Sequence, residues 1–80
     1  MFCVNVLLSQ KDGTTYIGST EFLERRIEEH NAGKTKSVKH KIPLELIYFE
    51  AYVNKTLARK REIELKKNSS SKERLFKRIF

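Results

Sequence analysis

Arg26, His30 and Glu62 are the residues whose types and spacing could first do chemistry. On a helical wheel at about 100° per residue, a helix starting near Glu21 turns Phe22, Leu23 and Ile27 to one side. Arg26 and His30, one turn apart, fall inside that same arc, while Glu21, Glu24, Glu28 and Glu29 fall outside it. A guanidinium aimed inward needs a partner, because an unpaired buried charge is costly. That partner is either a structural carboxylate or an anionic ligand, which the planar donor fork of arginine fits well. An imidazole beside it, with an ordinary pKa near ~6.5, can move a proton. In a later helix Glu62 borders the stripe formed by Leu57, Ala58 and Leu65, with Glu64 on its other margin. A carboxylate in that place can hold a metal ion or pair with Arg26.

These side chains need elements to hold them. Phe2, Val4, Val6 and Leu8 alternate with Cys3, Asn5 and Leu7, which predicts a strand. Asp12-Gly13 is a turn signal, and the β-prone Thr14 to Gly18 completes a hairpin. Ser19 or Thr20 can cap a helix running to about Asn31, and Gly33 suits its end. Lys34 to Lys41 reads as a basic loop, and Leu44 to Tyr52 as a third strand. Asn54 can cap a helix through about Lys67, and Ser70 with Glu73 matches a capping box for a last helix to Phe80. In that last helix Leu75, Phe76, Ile79 and Phe80 form one core stripe. The expected architecture is α/β: a small three-stranded antiparallel sheet flanked by helices, in the order β-β-α-β-α-α.

The chain has 80 residues, which allows one domain over 1–80. A domain this small buries little more than ~60% of its unfolded surface, which excludes barrels, multidomain enzymes and large cofactor folds. No apolar run approaches the ~20 residues of a membrane span. Val6-Leu7-Leu8 is too short for a signal-peptide core, and the lone Cys3 excludes a disulfide framework or a cysteine zinc cluster. A cytoplasmic protein without a small-molecule cofactor is expected; its oligomeric state is not legible. The net charge is +7, of which residues 41–80 carry +6. That field selects a polyanion, nucleic acid before a membrane surface. Lys34, Lys36, Lys39, Lys41, Arg59, Lys66 and Lys67 are the candidate phosphate contacts.

Tyr16-Ile17-Gly18, with Arg26 eight residues after the glycine, resembles the GIY-YIG nuclease superfamily. Phe22 to Gly33 is similar to that family's first helix, Lys41-Ile42-Pro43-Leu44 and Leu46 to Glu50 to its third strand, and Ala58 to Lys67 to the helix carrying its single acidic residue. The likeness covers nearly the whole chain. It is strongest to small stand-alone bacterial members similar to the N-terminal domain of an excinuclease. The resemblance implies a DNA endonuclease that hydrolyses phosphodiesters with one weakly bound divalent metal, Mg²⁺ or Mn²⁺, in DNA repair or recombination. It implies that Glu62 holds the metal, Arg26 binds the scissile phosphate, Tyr16 lines the site and positions or deprotonates the attacking water, and His30 lies in the same site. RNA is the open alternative to DNA. The sequence departs from the family at Asn5, which stands where the first motif has a tyrosine. Asn can hydrogen-bond but cannot act as a base near neutral pH. The competing expectation is therefore a basic nucleic-acid-binding module that does not cut.

Overall fold

The computed structural model describes residues 1–80. Strand β1 (Phe2–Ser9) is followed by β2 (Thr15–Thr20), helix α1 (Leu23–Asn31), a 3-10 helix (Lys36–Lys41), β3 (Leu44–Tyr52), α2 (Lys55–Lys67) and α3 (Ser69–Ile79). The sheet is antiparallel with β1 at its centre, in the order β2-β1-β3. This is the expected α/β order, and no helix is long and apolar enough to cross a membrane.

Alternation along β1 feeds two cores. Val4 and Val6, with Ile17 of β2, pack against Ala58 and Leu65 of α2 and Leu75 of α3. Leu7 points the other way and packs with Val38 and Leu44, joined by Tyr16 and by Ile27 of α1. The helices therefore cover both faces of the sheet. Leu65 is fully enclosed, and truncating such a leucine to alanine typically costs ~2–5 kcal/mol.

Several ends differ from the sequence reading. Strand β2 continues through Ser19 and Thr20, so neither caps α1. The N-cap is Phe22, and the Thr20 hydroxyl accepts the Phe22 N–H instead. Gly33 ends the helix as expected, at a φ of +77° that other residues rarely adopt. The basic loop is wound into the 3-10 helix, because Val38 must reach the Leu7 core. Asn68, not Ser70, caps α3: its side chain accepts from the Ser71 N–H, so the capping box does not form. Phe80 leaves the expected stripe and is exposed, because α3 ends at Ile79.

Two polar clasps fix the frame. The Asn31 side chain donates to the Leu44 carbonyl and accepts from the Leu44 N–H, tying the end of α1 to the start of β3. Glu50 of β3 accepts from the Tyr48 and Tyr52 hydroxyls and from the Arg61 guanidinium of α2 at 2.9 Å. Arg61 also reaches Glu64 at 3.1 Å.

Candidate active site

A polar cleft of about 130 Å³ opens at the edge strand β2. Asn5, Tyr16, Gly18, Ser19, Arg26, His30 and Glu62 line it. All five residues singled out from the sequence as a chemical centre thus meet in one place. β1 and β2 set the floor, with Asn5 directly opposite Gly18 and Leu7 opposite Tyr16. Tyr16 and Asn5 are therefore diagonal neighbours on one sheet face. Gly18 is there for space rather than for backbone freedom. A Cβ on it would lie 3.1 Å from Cε1 of Tyr16, so the ring lies across the bare glycine.

Helix α1 supplies Arg26 and His30. His30 is buried, 2% exposed, and its ring meets that of Tyr16 edge-on at 5.2 Å. Its Nδ1 is 2.8 Å from the Thr35 hydroxyl, just past the end of α1. Burial pushes the imidazole pKa below the usual value, the nearby Arg26 lowers it further, and Glu29 offsets part of this. Arg26 itself is exposed, not buried as its wheel position predicted. The short α1 is anchored mainly through Ile27 and His30, so the covered arc is narrower than the apolar residues suggest. The guanidinium needs no internal carboxylate.

Helix α2 supplies Glu62, whose side chain is 14% exposed. It does not pair with Arg26. The Ser19 hydroxyl donates to one of its oxygens at 2.6 Å, and the Lys66 ammonium lies 2.7 Å from the other. Burial alone would raise the Glu62 carboxyl, but Lys66, Ser19 and the more distant Arg59 outweigh it and hold the pKa below the ordinary range. Glu62 is the one carboxylate lining the cleft, and no cluster of three His, Cys, Asp or Glu exists that could cage a metal. An anionic carboxylate beside a serine hydroxyl and a tyrosine suits a hard cation that keeps most of its waters, as Mg²⁺ does.

A family model described as the GIY-YIG catalytic domain matches residues 1–75. The chain belongs to the GIY-YIG family. Several proteins resemble it. A UPF0213 protein of Natronomonas pharaonis is 42% identical over 71 residues, which span 86% of this chain and 84% of that protein. A UPF0213 protein of Clostridium perfringens is 42% identical over 62 residues, 76% of this chain and 67% of that one. The solution structure of a UPF0213 protein from Bacillus halodurans superposes with a TM-score of 0.56 at 33% identity, over 96% of this chain and 84% of that one. At the level of this GIY-YIG family, the domain is of a nuclease type that binds nucleic acid.

The basic residues named from sequence divide. Arg59 lines a second groove beside the cleft, together with Arg25, Arg26 and Lys55. Lys66 is engaged with Glu62, and Lys41 donates to the Thr14 hydroxyl and lies 3.9 Å from Asp12. Lys34, Lys36, Lys39 and Lys67 line neither cavity. Sequence reasoning missed Ser19 and Thr35 as supports and Arg25 as a groove residue. Only the hydroxyl of Ser19, one residue past the Tyr16-Ile17-Gly18 motif, gave any signal.

Proposed function

We propose that this GIY-YIG domain is a metal-dependent DNA endonuclease. The convergence of Tyr16, Arg26, His30 and Glu62 on one open cleft carries the reading. Glu62 would hold a single Mg²⁺ or Mn²⁺, with Lys66 swinging away; its ammonium end is on a side chain 47% exposed. When bound, the ion supplies positive charge to the phosphoryl oxygens and acidifies a water. Arg26 binds the scissile phosphate and offsets the charge that builds on its oxygens during attack. His30 is neutral at pH 7, as a proton acceptor must be. With Nδ1–H donating to Thr35, Nε2 keeps the lone pair that takes the proton of the attacking water. The water oxygen bonds to phosphorus, the P–O ester bond breaks, the departing oxygen takes a proton from solvent water, and His30 returns its proton to solvent. Tyr16, held edge-on to His30, orients that water with its hydroxyl.

A second reading rests on Asn5. An amide sits buried in the cleft where the family's first motif carries a phenol. A domain so altered can bind nucleic acid without cutting it. A nicking assay on supercoiled and branched DNA separates the two. Wild type nicks only with Mg²⁺ or Mn²⁺. Glu62→Gln binds DNA but does not cut, and Arg26→Ala loses on the order of 10²–10³ in rate. A folded wild type that binds DNA but never cuts it, with any divalent ion, replaces the nuclease by the binding module.

A further inference from the structure

A second groove of about 270 Å³ adjoins the cleft, and the two share Ser19 and Arg26. Arg25, Arg26, Lys55 and Arg59 line this groove, against the two carboxylates Glu21 and Glu29. None of those four cations takes part in a salt bridge; the ion pairs of the fold use Lys41, Arg61, Lys66 and Lys77. Their charge is free for an external anion. A groove this size is near the lower end of ligand sites, ~300 Å³, and holds one nucleotide rather than a turn of duplex.

Phe22 stands on its rim. It is the N-cap of α1, where a side-chain oxygen would satisfy a free N–H, and it makes no such bond. It is also 52% exposed, so it adds little to either core. The Arg25 guanidinium carbon lies 4.6 Å from the centre of its ring. With Arg25 over one face of the ring, an unstacked base settles on the other face or takes the place of the guanidinium, as bases do on exposed aromatic side chains. Bases within a continuous duplex have both faces covered and cannot use it.

We infer that this groove takes an unpaired nucleotide flanking the scissile phosphate, its phosphate held by Arg59 and Lys55 and its base stacked on Phe22. The inference rests on the nuclease reading for which phosphate is cut. It narrows the substrate to DNA that is single-stranded or splayed beside the cut.

The chain contains no tryptophan, so Phe22→Trp introduces a single indole at the proposed stacking position. This variant is titrated with a single-stranded oligodeoxynucleotide and with the duplex of equal length, at low salt and without divalent metal. The single strand is expected to quench the indole saturably, and the duplex is not. Phe22→Ala is expected to bind the single strand roughly 5- to 150-fold more weakly, with duplex binding unchanged. Anisotropy reports binding independently, and circular dichroism confirms folding. Single-strand binding without quenching in Phe22→Trp, or equal loss on both DNAs in Phe22→Ala, overturns the stacking site and leaves the nuclease reading standing. Wild type that binds neither DNA overturns both. Because no metal is present, lack of cleavage cannot imitate either result.

Discussion

His30 and Asn5 show how burial governs what a single side chain can do in the cleft. The neutral imidazole is enclosed, and its pKa is lowered from the ordinary 6.5 by burial and then by Arg26. As pH falls below 6.5, the unfolded chain takes up the proton before the folded chain does. The stability tied to neutral His30 is therefore present above 6.5 and is lost as pH falls through the folded value. The expected NMR titration of His30 has its midpoint below 6.5, and the acid limb of cleavage follows that midpoint. A midpoint at or above 6.5 would show that burial and Arg26 do not govern this ring, and an acid limb of cleavage that does not track the midpoint would remove His30 as the base. Asn5 gives a second residue-scale prediction. Its position faces Gly18 across the strand pair and is diagonal to Tyr16, so a phenol there enters the cleft against the Tyr16 ring. If the missing phenol limits the reaction, Asn5→Tyr raises metal-dependent cleavage by ~10²–10⁴, the usual worth of general-base assistance. A folded Asn5→Tyr no faster than an active wild type shows that His30 already does this work or that the site falls short elsewhere, and inactivity of both proteins favours the binding module.

At the scale of elements, the placing of α2 decides whether Glu62 reaches the cleft. Arg61, its neighbour, is clamped to β3 through Glu50, and Tyr48 and Tyr52 close the same carboxylate from the strand side. Burial works against the charged Glu50, yet Arg61 and the two phenols hold its pKa below the usual range. Burial and the hydrogen bond to Glu50 push the Tyr52 phenol up to about 12. Glu50→Gln keeps the shape and removes the charge. Its expected cost is ~2–3 kcal/mol in urea unfolding, the scale of hydrogen bonds to a charged group. Cleavage falls as well, because the next residue along α2 loses its aim. The deficit narrows as pH drops below the ordinary carboxylate value of 4.5, where wild-type Glu50 also protonates. Unchanged urea midpoints would show that packing through Ala58 and Leu65 alone positions α2.

For the whole molecule, the +7 charge matters less than which cations are free. Lys41 and Lys66 are spent on internal partners, whereas Arg25, Arg26, Lys55 and Arg59 face one groove. Two phosphates, the scissile one at Arg26 and its neighbour at Arg59 and Lys55, predict a slope of log K against log salt of roughly −1.4 on single-stranded DNA. Arg59→Ala should make the slope shallower by about 0.7 without changing sequence preference. A slope that Arg59→Ala leaves intact would move the binding surface to the lysines beyond α1 and at the end of α2.

The order of elements was legible in the sequence because each is specified locally. The alternation around Val4 and Val6, the Asp12-Gly13 turn, the Gly33 stop and the Asn54 cap all act within a few residues. The family was legible for a similar reason: Tyr16, Gly18, Arg26 and Glu62 keep a fixed spacing on those elements. What the tertiary structure decided is which of these groups are covered and by whom. Arg26 shares an arc with Ile27 on paper, but exposure depends on how much of α1 a neighbour covers, and α1 is covered along a narrow line. Glu62 meets Ser19 from 43 residues away, and only the packing of α2 against the end of β2 brings them together. The Phe22 groove likewise lies between α1 and α2, where neither helix alone defines it. A periodicity describes one element at a time, whereas a cleft belongs to the space between elements.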